Sequence, residues 1–199
     1  MAHQTKKERK LTDAEIAALA KKGDNNALTE IITRYEKKVY NFALRFMNNR
    51  EDAEDVLQET FLSVIKAIGS FEGRSSLSTW IYRIASNASL MKLRSKKRVF
   101  DTFEEDKIDM TIDYQEVRKK MPDSPLELLQ NKDILDRVTE SLDELPPKHR
   151  SVFLLRDMEG FSTNEVSEML NMAVPAVKSN LRRARIALRD KLADHLITN

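Results

Sequence analysis

Apolar residues along most of this chain recur every three or four positions, which is the spacing of amphipathic helices rather than of strands. Glycine occurs four times and proline five times, so long periodic stretches run without a helix breaker. Thr12 and Glu15 form a capping pair that begins a first short helix, and Gly23 ends it. The pattern then predicts helices over residues 24–48, 52–68, 78–98, 131–144, 148–158, 163–170 and 175–196. We therefore expect an all-α fold.

The stretch between the two groups of helices differs in composition. Residues 99–130 hold nine acidic residues against four basic ones, include Pro122 and Pro125, and show no long amphipathic spacing. We interpret this stretch as an acidic flexible linker. The resulting organisation is a disordered basic N-terminus at 1–10, a first small helical domain at 11–98, the linker, and a second small helical domain at 131–199 that contains a helix-turn-helix.

Three apolar faces are expected to form the cores of these domains. The helix predicted over residues 78–98 carries the single tryptophan, Trp80, which we interpret as a core residue rather than a platform for a nucleic-acid base. The faces consist of Leu57, Phe61, Val64, Ile65 and Ile68; of Trp80, Ile81, Ile84, Ala88 and Met91; and of Val177, Leu181, Ala184 and Leu188.

Composition excludes several classes of protein. Of the 199 residues, 41% are hydrophobic and 33% are charged, which is typical of a folded chain with a well-solvated surface. The chain has no cysteine, and its three histidines are scattered, so thiol chemistry and a His-based metal site are not expected. We find neither a Gly-rich phosphate loop nor a paired acid and base, and we expect no enzymatic activity and no cofactor.

No apolar stretch approaches the roughly 18 residues that span a bilayer, and residues 1–10 lack the apolar centre of a secretory signal. We expect a cytoplasmic protein without a membrane segment.

The net charge is only +2, so the total charge does not indicate a partner. The distribution of charged residues along the chain is more informative. Residues 51–59 contain five acidic side chains and no basic one, whereas residues 92–98 contain five basic side chains and no acidic one. Residues 178–191 carry six basic side chains against the single Asp190. Blocks of one sign indicate more than one kind of partner, although solvated helix faces would account for any single block.

The C-terminal blocks have the pattern of a helix-turn-helix. Ser162 and Glu165 form a capping box, Asn171 suits the left-handed backbone of a tight turn, and Pro175 opens the next helix. That helix carries a basic stripe beside its apolar face, consisting of Lys178, Arg182, Arg185 and Arg189 with Arg183 next to them. Such a stripe fits a DNA major groove, and the alternative is an outer helix that contacts nothing.

The N-terminal helices carry two further candidate surfaces. Asp55, Gln58, Glu59 and Leu62 share one side of the second long helix, which suits docking of a basic helix; taken alone, a solvated face is the simpler account. The polar loop at residues 71–78 begins with a phenylalanine that we expect to be exposed. It leads into a helix on which Arg83, Asn87 and Arg94 share a face, and this combination suits unpaired bases.

Four motifs, in order along the chain, carry a family resemblance. They are DAEDVLQETF at residues 52–61, STWIYRIASN at 78–87, Leu145-Pro146 with Arg150, and AVKS at 176–179 with Arg183-Ala184-Arg185. Together they resemble the extracytoplasmic-function (ECF) group of sigma-70-type bacterial sigma factors, over about residues 11 to 195.

The resemblance implies a promoter-specificity subunit of RNA polymerase, whose first domain is sigma region 2 and whose second is sigma region 4. It implies core-polymerase binding by Asp55, Gln58, Glu59 and Leu62, which would grip the clamp helices, and it implies that the flap of the polymerase is contacted as well. It implies capture of the melted −10 element by Phe71, Ser75, Ser76, Arg83, Ile84, Asn87, Lys92, Arg94, Lys97 and Arg98, and reading of the −35 element by Ala176, Lys178, Ser179, Arg182, Arg183 and Arg185.

The same resemblance implies how the remaining parts of the chain act. The linker would thread through the polymerase toward the RNA exit path, a separate anti-sigma factor would control the protein, and the chain would be a monomer outside its complexes. Two departures from the family pattern are Pro175-Ala176, where many relatives carry Gly-Thr, and Asn180, where an arginine is usual. The promoter sequence is therefore not transferable from relatives.

Two alternatives from other classes stay open at this point. A stand-alone helix-turn-helix regulator would bind an operator tightly without polymerase. A helical interaction protein with basic patches for acidic partners would show no salt-sensitive binding to nucleic acid.

Overall fold

The structure is a computed structural model that describes residues 11–100 and 141–197. The regular elements in these ranges are helical, which confirms the expected all-α class. The first group consists of α1 (Asp13–Ala20), α2 (Asn25–Met47), α3 (Arg50–Ala67) and α4 (Leu77–Phe100), and the second of α5 (Pro147–Phe153), α6 (Thr163–Leu170) and α7 (Val174–Ile197). A 3-10 turn at Ile68–Ser70 follows α3, and a π-helical turn at Leu154–Met158 continues α5.

Several expectations lie wholly or mostly outside the described residues. They concern the basic N-terminus at 1–10, the linker at 99–130 and the helix at 131–144. The side chains of Lys97 and Arg98 lie outside the description as well. The other predicted helices are present, but the helix over 148–158 changes character at Leu154, whose carbonyl accepts from the backbone N–H of Glu159 five residues on, at 2.9 Å.

Helix ends follow the capping signals of the sequence. Both predicted capping boxes form: the Thr12 side chain accepts from the backbone N–H of Glu15, and Ser162 does the same for Glu165. Asn171 takes the left-handed backbone expected of the turn, with φ of 49°, so that α6 ends and α7 begins within a few residues. These local interactions give the second domain its helix-turn-helix.

The core of the first domain forms where α2, α3 and α4 meet, with α1 packed against α2. Phe42 and Phe46 of α2 are fully buried, as are Val64 of α3 and Ile81 of α4. Trp80 is 7% exposed, which confirms its interpretation as a core residue. Burial of these large side chains is the main favourable contribution to the free energy of folding of this domain.

Two residues that were assigned to the core face solvent. Met91 is 68% exposed, because the buried positions of α4 include Ser89, and a residue two places further along a helix points to the opposite side. Ile65 is 44% exposed, because Val64 and Ile68 occupy the buried side of α3. Ile65 instead lies one turn from Leu62, which is also 44% exposed.

The core of the second domain is built by α5, the π-helical turn, α6 and α7. Val177, Ala184 and Leu188 of α7 are buried as expected, and Leu181 is half-buried against the same cluster. They pack with Leu154 and Met169 among others. The apolar face of α7 therefore points inward and leaves part of its basic stripe at the surface.

The two domains pack directly against each other, with α6 lying against α4. At one edge, the Arg150 guanidinium of the second domain donates to the carbonyl of Phe46 at the end of α2, with an N···O distance of 2.6 Å. Asn48, just after α2, donates to the Asp143 carboxylate. This packing brings residues of the second domain next to the loop that precedes α4.

Candidate nucleic-acid and protein interfaces

An exposed acidic face lies on α3. Asp55, Gln58 and Glu59 are exposed, and Leu62 lies on the same side of the helix with 44% of its surface accessible. We call these four residues the α3 acidic face. Ile65 extends it by one turn, so the face combines carboxylates with two large apolar side chains. Such a combination suits a partner helix that offers both cations and apolar groups.

The acidic and basic blocks of the first domain, far apart in sequence, are paired with each other. Lys92 of α4 contacts the Asp55 carboxylate of α3 at 2.6 Å and the Asp52 carboxylate at 3.7 Å, and Lys96 also contacts Asp52. The hydrogen bond to Asp55 raises the pKa of Lys92 above its usual value. Asp52 is buried, so its charge is balanced within the domain. The two blocks therefore form one connected surface.

A cleft of about 520 Å³ lies between the loop before α4 and the start of that helix. We call it the loop cleft, and it is lined by Ser70, Phe71, Glu72, Gly73, Arg74, Ser75, Trp80, Arg83 and Glu168. Phe71, Ser75 and Arg83, which the resemblance assigns to one site, all line this cleft. Glu168 was not expected there, because it belongs to α6 of the second domain.

The expectation that Phe71 is exposed is wrong. It is 8% exposed, because its ring packs against Trp80 with the ring centroids 5.1 Å apart. Its carbonyl accepts from the Lys21 ammonium at 2.6 Å, which ties the loop to the end of α1. The loop therefore folds back onto its own domain.

The exposed side of α4 continues from this cleft. Arg83, Asn87 and Arg94 are exposed on one side, as expected, and Ile84 is half-buried beside them. Ser76 is exposed at the start of the helix, where its hydroxyl accepts from the backbone N–H of Thr79 at 3.0 Å. Guanidinium and amide groups next to a concave loop can hold bases and phosphates of a single strand.

The basic stripe of α7 is only partly available to a ligand. Lys178, Ser179, Arg182 and Arg183 are exposed, whereas Ala176 is half-buried. Arg185 makes two charge-assisted bonds to the Asp157 carboxylate, at 2.6 and 2.7 Å, which raise its already high pKa. Arg185 therefore also stabilises the second domain, a role that helical spacing alone did not reveal.

Contacts between the domains involve residues that the sequence did not single out as functional. Tyr82 of α4 donates to the Glu159 carboxylate at 2.5 Å, and Thr79 donates to Glu165 at 2.9 Å. Hydrogen bonds from Ser162, and a weaker one from Thr79, lower the pKa of Glu165 below its usual value. These partners are about 80 residues apart in sequence, so no local pattern could have paired them.

Among residues 11–100 and 141–197, no cluster of His, Asp and Glu side chains is arranged to hold a metal ion. Within the same ranges, none of the helices combines the length and apolar character needed to cross a bilayer.

Comparison with known proteins agrees with the arrangement of the two domains. The family models described as Sigma-70 region 2 and Sigma-70, region 4 match residues 31–99 and 135–188. The chain is 32% identical over 176 residues to the ECF RNA polymerase sigma factor SigW of Bacillus subtilis, covering 87% of this chain and 93% of that protein. It is 30% identical over 182 residues to the ECF RNA polymerase sigma-E factor of Escherichia coli K12, covering 92% and 95%.

Two solved structures share the fold. One is CnrH in complex with the cytosolic domain of CnrY, with a TM-score of 0.65, 24% identity, and coverage of 92% of this chain and 97% of that one. The other is the sigma factor RpoE in complex with the anti-sigma factor NepR from Bartonella quintana, with a TM-score of 0.62, 22% identity, and coverage of 83% and 96%.

Proposed function

The chain belongs to the ECF sigma factors of the sigma-70 family, a non-catalytic family of RNA polymerase subunits, and from this premise we propose how its surfaces divide the work of promoter recognition. We assign residues 11–98 to region 2, 131–199 to region 4 and 99–130 to the connection between them. Family membership leaves no role for the two alternatives, a stand-alone regulator and a helical interaction protein. Because a sigma factor acts where polymerase and chromosome meet, a cytoplasmic location is part of the proposal.

The α3 acidic face is the proposed docking site for core polymerase. Its exposed carboxylates and amide lie beside the exposed Leu62, so a basic helical hairpin such as the polymerase clamp helices would meet complementary charge and an apolar side chain. The ion pair of Lys92 with Asp55 lies at the border of this face. Region 4 would make a second contact with the flap of the polymerase.

The loop cleft and the exposed side of α4 are the proposed site for the melted −10 element. Bases of the opened strand would be held by Phe71, Ser75, Ser76, Arg83, Ile84 and Asn87, and the flanking backbone by Lys92, Arg94, Lys97 and Arg98. A site for splayed bases favours opened DNA over duplex, because intact duplex offers phosphates but no free base faces. Each captured base contributes about 1 to 3 kcal/mol, which is comparable with the cost of unstacking it.

The N-terminal part of α7 is the proposed reader of the −35 element. A helix that follows a tight turn and carries exposed cations fits the major groove of a duplex. Lys178, Arg182 and Arg183 are exposed there, and Ala176, Ser179 and Arg185 complete the proposed set. Cations that contact phosphates release counterions, so binding should weaken as salt is raised.

Control by a separate anti-sigma factor is part of the proposal. The two solved structures that share the fold are complexes of CnrH with CnrY and of RpoE with an anti-sigma factor. Those partners belong to those proteins. For this chain, they support a search for an anti-sigma partner that covers both domains.

The observation that carries the proposal is that one chain presents two candidate DNA surfaces on separate domains together with a docking face for a protein partner. Run-off transcription with purified core polymerase on genomic fragments, followed by mapping of the start sites, tests it. We expect specific starts only when both chain and core enzyme are present. Failure to direct initiation from any fragment, with no inhibitor present, would refute the proposed division of work.

A further inference from the structure

A lysine at the end of α1 contacts the loop that precedes α4. The Lys21 ammonium donates to the Phe71 carbonyl at 2.6 Å, although 50 positions separate the two residues in sequence. Phe71 belongs to the lining of the loop cleft and Lys21 does not, so the ammonium acts on the loop from outside the cleft. A hydrogen bond from a charged donor is stronger than one between neutral groups.

The other polar contacts of this loop are local. In the part of the chain that the structure describes, the other hydrogen bonds and ion pairs of residues 70–75 join partners at most three positions apart. They include the bond from the Phe71 N–H to the Ile68 carbonyl, at 3.0 Å, and the pair of Arg74 with Glu72, two exposed side chains. Local bonds of this kind do not fix the loop relative to the surrounding helices. Among its polar contacts, that placement depends on Lys21.

Ring packing holds the same loop residue from a second side. The Phe71 ring lies against Trp80 of α4 with the centroids 5.1 Å apart, while the Phe71 carbonyl is bonded to Lys21. Two residues further on, Gly73 takes a left-handed backbone with φ of 73°, which turns the chain. Ser75 then lines the same cleft as Phe71. The shape of the cleft therefore depends on how firmly Phe71 is held.

The helix that carries Lys21 is itself fixed to the domain. Near the start of α1, the Asp13 carboxylate pairs with Arg34 of α2 at 2.8 Å and accepts from the Tyr35 hydroxyl. Ile16, in the middle of α1, is fully buried in the core. Lys21 directly follows the last residue of this helix. Its ammonium is therefore a donor on a rigid support, and less conformational freedom is lost when it holds the loop.

We propose that Lys21 is a positioning residue for the melted −10 strand: it holds the Phe71 carbonyl and thereby keeps the loop cleft in the shape that accepts unpaired bases, without touching the strand. The inference rests on the proposed role of the loop cleft and adds a residue of α1 to it. When the loop is released, only a fraction of the molecules has a competent cleft, and the apparent affinity for the strand falls by that fraction.

The single tryptophan allows a direct test of this anchor in the free protein. Because the Phe71 ring packs on Trp80, release of the loop exposes the indole to a dissolved quencher. We expect Lys21→Met to raise the acrylamide quenching constant of Trp80 about twofold. Lys22→Met is the matched control, since it removes the same charge at the neighbouring exposed position, and it should be quenched as the parent is. Equal quenching constants for the two variants would overturn the anchor.

Strand binding tests the functional part of the inference. The protein is the holoenzyme formed with core polymerase, and the probes are fluorescent oligonucleotides with either strand of the −10 region of a promoter mapped by run-off transcription. We expect the Lys21→Met holoenzyme to bind the better probe about tenfold more weakly than the parent, and the Lys22→Met holoenzyme to bind as the parent does. Equal affinities of the two variants would overturn the positioning role.

A salt series separates positioning from direct contact with the strand. Removal of a lysine that contacts a phosphate of a single strand lowers the slope of log affinity against log salt by about 0.7. We expect the parent and Lys21→Met to share one slope, and a smaller slope for the variant would overturn the positioning role. Absence of strand binding by the parent holoenzyme would instead refute the assignment of the loop cleft, while the quenching of Trp80 would still decide whether Lys21 anchors the loop.

Discussion

Arg150 is a single side chain that joins both domains. It is 5% exposed; its guanidinium donates to the Phe46 carbonyl at 2.6 Å, to the Asp143 carboxylate at 2.9 Å, and to the Asp143 carbonyl at 2.6 Å. Burial lowers its pKa while Asp143 opposes that effect, and an arginine stays charged in either case. A buried cation with these partners is costly to remove, because the carbonyls are left without donors.

We predict that Arg150→Met destabilises the protein by about 2 kcal/mol, because two carbonyls and a carboxylate lose charge-assisted bonds. The measurement is the midpoint of urea unfolding. Arg50→Met is the control, since Arg50 pairs with Glu54 on the surface and is 83% exposed, so its midpoint should stay that of the parent. A similar effect of both substitutions would contradict the structural role of Arg150.

His149 should make stability depend on pH. Burial lowers its pKa below the usual 6.5, the nearby Arg183 charge lowers it further, and the Asn180 side chain opposes the shift. The unfolded chain therefore takes up a proton at a higher pH than the folded one. The free energy of unfolding should be unaffected above pH 6.5, fall as pH drops below it, and stop falling below the folded pKa.

Thermal unfolding of the parent and of His149→Gln at pH 5 to 8 measures this effect, with the pH range set by the ordinary histidine pKa of about 6.5. The parent should lose more stability than the variant between neutral and mildly acidic pH. His3 and His195 are present in both proteins, so the difference between the curves reports His149. Parallel curves would argue against the shift.

At the scale of elements, the two sides of α3 have different roles: one side packs in the core and the other is exposed. Val56 and Val64 fill the core from one side, while Leu62 and Ile65, each 44% exposed, lie on the other. Neighbouring large apolar residues among carboxylates are unusual for a face that meets only water. Partner binding explains this composition better than solvation does.

We predict that replacing Asp55, Gln58 and Glu59 together by alanine weakens binding of core polymerase by a hundredfold or more, that is by about 3 kcal/mol. Surface plasmon resonance with immobilised core enzyme measures it. The matched control replaces Thr33, Glu36 and Lys37, which are exposed polar residues of α2, and should bind normally. Unchanged affinity of the α3 variant, with its helical circular dichroism intact, would contradict the docking assignment.

On α7, two basic positions should separate stability from DNA binding. Arg185→Ala removes the partner of the buried Asp157 and should cost about 2 kcal/mol of stability, whereas Lys178→Ala, at an exposed position, should leave stability unchanged. Both substitutions should weaken binding to a −35 duplex taken from a mapped promoter. Thermal unfolding and fluorescence anisotropy give the two readings. A stable Arg185→Ala protein would show that the pair with Asp157 contributes little.

At the scale of the whole molecule, the direct packing of the second domain against the first predicts how the protein unfolds. The contacts between Arg45, Tyr82, Glu159 and Phe161 couple the two domains, so calorimetry of the parent should show one transition. Removing two of these side chains, by Glu159→Ala with Phe161→Ala, should split it into two. Leu188→Ala, in the core of the second domain, should lower the melting temperature but keep a single transition. Two transitions in the parent would contradict coupling.

Interactions between residues close in sequence were sufficient to predict most helices and the exposed positions of several surfaces. The capping boxes at Thr12 and Ser162 and the left-handed Asn171 depend on neighbours in sequence, so they were predicted correctly. The exposed positions of Asn87 and Lys178 follow from helical spacing. Met91 shows the limit of such spacing, since its burial depends on which side of α4 meets α3.

The sequence by itself therefore determined most of the described helices, several of their ends, the family and the candidate interface residues, because these depend on side chains within a few positions of each other or on motifs in order. Only the tertiary structure decided that Phe71 turns inward onto Trp80, that Lys92 pairs with Asp55, and that Glu168 reaches the loop cleft. Each of these contacts joins elements whose relative placement results from packing of the whole chain, and no local periodicity encodes it.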